Sequence, residues 1–210
     1  VAMVGGRQIY DREFNMRVYD IPEAVLFDLD GTLINTMEGF ADLAAKLIER
    51  DYNVPFKNGR RNYITTSGIP FKHQLEVMFP GDARNFEVQK EFEIRKQEVF
   101  FNTALDDDTI RALNGLKELG IKVIVSSNNY HEFVLKYFKK YNKFSFDMIL
   151  GYKDGFAKGK DHILHVINEL KITKNKMIFV GDSLHDGEVA EELGIPFIGR
   201  IAIRTEEEFL

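Results

Sequence analysis

Acids, hydroxyls and one lysine stand where apolar runs of the chain stop. Residues 25–27 run into Asp28-Leu29-Asp30-Gly31-Thr32-Leu33, residues 121–125 into Ser126-Ser127-Asn128, and residues 177–180 into Gly181-Asp182-Ser183-Leu184-His185-Asp186. Two carboxylates at i and i+2 after an apolar strand converge on one reacting centre if the backbone turns there, and Gly31 permits such a turn. Open α/β sheets bind ligands outside the carboxyl ends of their strands, so these positions suit a site. Each motif alone also has a plain structural reading. Asp-Gly closes strands as a turn, a serine caps a strand end, and Asp182 with Asp186 fits an N-cap plus a turn residue. Lys158 is one of 28 Lys plus Arg, and most such charges are simply solvated.

The elements that must position these residues follow from the apolar pattern. Short β-rich runs at 25–27, 121–125, 148–150 and 177–180 read as buried parallel strands, with a fifth at 196–201. Helical spacing and caps appear between them at 108–119 (closed by Gly120), 130–141, 161–170 and 186–193 (closed by Gly194). Strand and helix alternate, which predicts an α/β core with a mostly parallel sheet. Between about 37 and 105 the alternation stops, and 40–50, 71–78 and 85–101 read as helices. A helical block of that size is an inserted module rather than a loop. Residues 1–22 precede the first core strand, either as a genuine extension or, with Met16 an alternative start, partly as an artefact of gene definition.

The hexapeptide at Asp28 resembles the first motif of the haloacid dehalogenase superfamily, and the other motifs of that family follow in order. Ser126, with Ser127 behind it, matches the second. Lys158 in Phe156-Ala157-Lys158-Gly159-Lys160-Asp161 matches the third, in better spacing than Lys160. Gly181-Asp182-Ser183-Leu184-His185-Asp186 matches the fourth. The stretch 155–161 also imitates a phosphate-binding P-loop, but it is one residue short and no Ser or Thr follows the lysine.

The resemblance implies a Rossmann-like doubly wound parallel sheet, residues 1–36 and 106–210, with an α-helical cap inserted at 37–105. It implies a phosphoric monoester hydrolase of the phosphoglycolate phosphatase-like or β-phosphoglucomutase-like branch. Asp28 is then the nucleophile and Asp30 the acid and base. Ser126, Ser127 and Lys158 hold the phosphoryl oxygens. Mg²⁺ sits on Asp28, the Asp30 carbonyl and Asp182, with Asp186 behind them. An Asp at position 30 favours phosphoryl chemistry, because a halide leaving group needs no proton. β-Phosphoglucomutases carry a cap-side His where Phe40 stands, which favours hydrolase over phosphomutase. Many phosphoglycolate-phosphatase-like members have Asp before a Ser or Thr, whereas Asn35 precedes Thr36 here. A phosphomutase or phosphotransferase, and a non-catalytic binder of a phosphorylated ligand that regulates a partner, are the competing readings.

Composition bounds the setting. With 44% hydrophobic residues and 5 Pro the chain is expected to fold throughout. A net charge of -5 argues against nucleic acid, so an anionic substrate must be met by a few placed cations. The lack of cysteine excludes thiolate metal sites and cysteine nucleophiles and fits a cytoplasmic protein. No apolar run approaches the ~18 residues that cross a bilayer, and residues 1–6 carry no basic stretch leading into an apolar one. The expected partner is a small phosphorylated metabolite, with no membrane, and the chain acts as a monomer or homodimer.

Overall fold

A computed structural model describes residues 21–67 and 69–200 in full, together with the backbone of two short strands at 2–4 and 7–8. The chain divides into two compact units. Of the described residues, one comprises 2–4, 7–8, 21–34 and 105–200, and the other 35–67 and 69–104.

The α/β unit is built on a sheet of strands β1 (Ala2–Val4), β2 (Arg7–Gln8), β3 (Ala24–Asp28), β4 (Lys122–Tyr130), β5 (Met148–Tyr152), β6 (Met177–Gly181) and β7 (Phe197–Gly199). Their order is β2-β1-β7-β6-β3-β4-β5. The five strands from β7 to β5 are parallel to their neighbours, while β1 runs antiparallel to β7 and to β2. Helices α5 (Asp107–Glu118), α6 (His131–Lys140), α7 (Lys160–Leu170) and α8 (Leu184–Leu193) complete it. Leu26, Ile124, Phe179, Ile163, Val166 and Ala190 share one packed cluster of sheet, α7 and α8. Along β4 the alternation turns Val123 and Val125 away from Ile124, and α5 and α6 lie against that strand. Layers on both sides make β3 apolar at successive positions rather than at alternate ones.

From β3 the chain moves outward through β4 and β5, then returns to the other side of β3 for β6 and β7. The carboxyl end of β3 therefore lies where the strand order reverses, the place where such sheets hold ligands. The strand read at 196–201 is Phe197–Gly199, and Ile201 lies outside the described residues. β4 continues past Ser126, where the sequence reading closes it, and its pairing with β5 shifts register between Ser126 and Tyr130.

The helical unit contains α1 (Met37–Tyr52), α2 (Phe56–Thr65), α3 (Phe71–Met78) and α4 (Asn85–Asn102). Tyr63, Phe71 and Phe92 knit α2, α3 and α4 together, with Phe71 and Phe92 centroids 4.1 Å apart. No described helix is long and apolar enough to cross a membrane.

Candidate active site at the carboxyl end of the sheet

β3 delivers Asp28 in register beside Ser126 of β4. The chain then turns sharply: the Leu33 and Ile34 amides both donate to the Leu29 carbonyl at 3.0 Å, and Gly31 sits at φ 84°, a conformation that disfavours a side chain. Arg200, just past β7, donates from Nη1 to the Gly31 and Thr32 carbonyls at 2.7 and 2.6 Å, which ties this turn to the end of a strand on the far side of β6. The Asp30 carboxylate accepts a hydrogen bond from Asn129 Nδ2 at 2.5 Å.

Lys158 is the lysine that meets the acids. Its Nζ lies 2.6 Å from Asp28 Oδ1 and 2.8 Å from Asp186 Oδ1, whereas Lys160 is exposed. Gly159 follows at φ 105°, a backbone conformation open to glycine, and α7 starts directly after it.

From β6 come Asp182 and Asp186. The helix cap is Ser183, whose hydroxyl accepts the Asp186 amide at 3.1 Å, so Asp186 stands inside the first turn of α8 and is not the N-cap its spacing suggests. A methyl added at Gly181 would lie 2.6 Å from Asp186 Oδ2, so the bare glycine lets that carboxylate sit against the strand end. Ser127 accepts the Asn129 amide at 3.1 Å, and Ser126 Oγ lies 2.8 Å from His162 Nδ1.

Asp28, Asp182 and Asp186 are all buried, and each brings one carboxylate oxygen within 4.8 Å of the others. Three acids thus face one ammonium in a dry place. Burial raises Asp28 well above the usual carboxylate range. Lys158 pulls it back down, and Asp186 and Asp182 push it further up. Burial likewise pushes Asp182 up to about 6. For Lys158 burial works toward loss of the proton, but Asp28 and Asp186 outweigh it and hold the ammonium charged. Asp28 Oδ2 is buried without a hydrogen-bond partner. An unmet buried oxygen among three converging carboxylates fits a hard divalent cation such as Mg²⁺, which takes oxygen ligands.

Residues 25–200 match the family model of the haloacid dehalogenase-like hydrolases. The chain belongs to that family. This haloacid dehalogenase-like hydrolase is 30% identical over 172 residues to the pyrophosphatase PpaX of Halalkalibacterium halodurans, covering 77% of this chain and 75% of that one. It is 23% identical over 182 residues to a phosphorylated carbohydrates phosphatase of Thermotoga maritima, covering 82% of each. Among solved structures, a haloacid dehalogenase-like family hydrolase from Streptococcus pneumoniae superimposes with a TM-score of 0.71 at 19% identity, covering 90% of this chain and 89% of that one, a likeness of fold.

All the motif residues named from sequence lie in the α/β unit of this hydrolase. Asp28, Lys158, Asp182 and Asp186 form one cluster, with Ser126 beside Asp28 in the sheet. The Asp30 side chain is outside that cluster, on Asn129. Asn129, His162 and Arg200 are the neighbours that the sequence reading passes over. Only Asn129 carries a signal, as the end of a polar run that closes an apolar strand.

Proposed function

We propose that this hydrolase is a Mg²⁺-dependent phosphatase of a small phosphorylated metabolite and works through an aspartyl-phosphate. The observation that carries the reading is the buried cluster of Asp28, Lys158, Asp182 and Asp186 at the strand switch. The relatives' names, a pyrophosphatase and a phosphatase of phosphorylated carbohydrates, support phosphoryl transfer as the chemistry.

Asp28 attacks phosphorus in line, the bond to the leaving oxygen breaks, and Asp30 gives that oxygen its proton. Asp30 then takes a proton from water as the water attacks phosphorus, which releases phosphate and restores Asp28. Lys158 and Ser126, with Ser127 alongside, hold the phosphoryl oxygens as charge spreads over them. The Asp28 and Asp182 carboxylates and the Asp30 carbonyl would hold Mg²⁺, with Asp186 supporting Lys158 and a water. Bound there, the cation supplies the positive charge that lets a carboxylate approach a phosphate dianion. The helical unit is the cap in this reading, and it recognises the part of the substrate that leaves.

The test is phosphate release from a panel of pyrophosphate, sugar phosphates, 2-phosphoglycolate and nucleoside monophosphates, with Mg²⁺ or with a chelator, and with Asp28→Asn as control. Release that requires both Mg²⁺ and Asp28 is the expected result. Turnover that survives in Asp28→Asn overturns the nucleophile assignment. A sugar phosphate isomerised without net release of phosphate replaces the hydrolase by a mutase.

A further inference from the structure

Where β4 passes the site its pairing is irregular. From Ser126 to Tyr130 it advances four residues while β5 advances two, from Leu150 to Tyr152, so extra residues are crowded into the strand there. A bulge of this kind re-aims side chains, and bulges gather beside active sites. The backbone of this one is held. The Asn129 amide donates to Ser127 Oγ at 3.1 Å, and β5 runs so close that a Cβ at Gly151 would stand 2.9 Å from the Asn129 carbonyl oxygen. From that frame Asn129 Nδ2 reaches Asp30 Oδ2, in the same α/β unit, at 2.5 Å.

The two acids of the first motif are held differently. Asp28 meets the Lys158 ammonium and converges with Asp182 and Asp186, whereas the Asp30 side chain stands apart from them and is half-buried. A carboxylate only accepts hydrogen bonds, so the side of the Asn129 carboxamide that faces it is the NH₂. A carboxyl group that carries its proton on one oxygen still accepts on the other, so the bond to Oδ2 fits both the acid and the base form. The amide is neutral and adds no charge of its own. Proton transfer needs the carboxyl group within hydrogen-bond reach of the reacting oxygen, and a misplacement of about 1 Å can cost about a hundredfold.

We propose that Asn129 is a positioning residue for proton transfer, on the reading of Asp30 as the acid and base: its carboxamide, aimed by the bulge in β4, holds the plane of the Asp30 carboxyl group through both halves of the reaction. As the bond from phosphorus to the leaving oxygen breaks, Asp30 gives that oxygen its proton, and the carboxylate left behind keeps the Asn129 bond. When water attacks phosphorus, the same carboxylate takes the water's proton with the same partner in place.

The experiment measures kcat/KM, which reports phosphoryl transfer to Asp28, for the unaltered enzyme, Asn129→Ala, Asn129→Leu, Asp30→Ala and the double variant Asp30→Ala with Asn129→Ala. Each is assayed on the best sugar phosphate of the panel and on p-nitrophenyl phosphate, with a thermal melt to check folding. A sugar alkoxide needs a proton to leave and a nitrophenolate does not, so a defect in proton transfer shows on the first ester alone. Both Asn129 variants are expected to lose about tenfold to a hundredfold on the sugar phosphate, little on the aryl ester, and nothing further once Asp30 is Ala. Equal losses on the two esters make Asn129 a structural residue and overturn the proposal. So do no loss on either, a loss that multiplies with that of Asp30→Ala, or failure of both Asn129 variants to fold. Where the parent does not turn over the aryl ester, the double variant decides. Asp30→Ala alone tests the reading underneath. An equal loss there on both esters, or none, removes Asp30 as the acid, whereas a loss confined to the sugar phosphate in Asp30→Ala, with no such loss in Asn129→Ala, sinks only the asparagine's role.

Discussion

Arg60 in the helical unit and Lys158 in the α/β unit each meet two carboxylates, yet the two clusters are opposite in kind. Arg60 pairs with Glu38 and with Asp42, at 2.9 Å to the latter, and its acids are about half exposed at 51% and 49%. Lys158 pairs with Asp28 and Asp186, whose side chains are 5% and 3% exposed, and a third acid, Asp182, adds to the surplus of negative charge. Water and salt screen the first cluster, so it decides little about the fold. Among the described residues, the ion pairs of the second run between its own members. Burying unbalanced charge works against stability, and its persistence at a strand switch supports the proposal that the chain does its chemistry there.

Substitutions should separate the two clusters sharply. Asp28→Asn is expected to lower turnover at least about a thousandfold with a melting temperature equal to or above that of the parent, because it removes a carboxylate whose charge burial opposes. Phosphate release and a circular dichroism melt on the same preparation check both halves. Next in size, Lys158→Met should cost about 10²- to 10³-fold in kcat and also about 3–5 kcal/mol of stability near neutral pH, since it leaves Asp28 and Asp186 without a counter-charge. Denaturant unfolding measures it. A loss of activity without a loss of stability would place Lys158 nearer the Arg60 class.

Metal and pH sharpen the contrast further. The folded pKa of Asp28 and of Asp182 lies above its ordinary value, with Asp182 near 6. Between about 4 and about 6 the folded protein therefore binds protons that the unfolded chain does not. The contribution of these two acids to stability is least above that window and grows as pH falls through it. A divalent cation competes with those protons, so stabilisation by Mg²⁺ should run the other way. It is expected at about 3 kcal/mol near pH 8 with Mg²⁺ at about a hundred times its Kd, and to fade near pH 5. Thermal melts with Mg²⁺ or a chelator at the two pH values test this, and an equal shift at both would argue against the carboxylates as the metal's ligands. The smallest effect belongs to Arg60→Met, expected to change stability by less than about 1 kcal/mol and to lose even that in high salt.

The alternation of strands and helices was legible because each parallel strand is a short apolar run that stops at a polar residue; the motifs of Asp28, Ser126 and Asp182 sit at or just beyond those stops, and Lys158 comes after a further turn, directly ahead of α7. What sequence could not supply are pairings across long separations. Asn129 and Asp30 are 99 residues apart, and Arg200 reaches back 169 to Gly31. His162 looks like any polar residue in a first helical turn until the fold sets it 2.8 Å from Ser126. Helix α2 was missed for a different reason. Its segment contains Asn58, Gly59, Arg60, Arg61 and Asn62 and buries only Gly59 and Tyr63, so it lacks an apolar stripe. Packing on α1 holds it, with Gly59 close enough that an added Cβ would touch Ile48 at 3.1 Å. The short strands β1 and β2 lack an apolar run long enough to read.

The most direct test of the central claim is to look for the phosphoryl group on the protein. The purified hydrolase is mixed with its best substrate and Mg²⁺, quenched in acid before one turnover is complete, digested and analysed by mass spectrometry. A phosphorylated peptide containing Asp28, absent from the Asp28→Asn protein and decaying at the rate of phosphate release, is the expected result. Phosphate released with no adduct at any quench time, or an adduct on another residue, would contradict it.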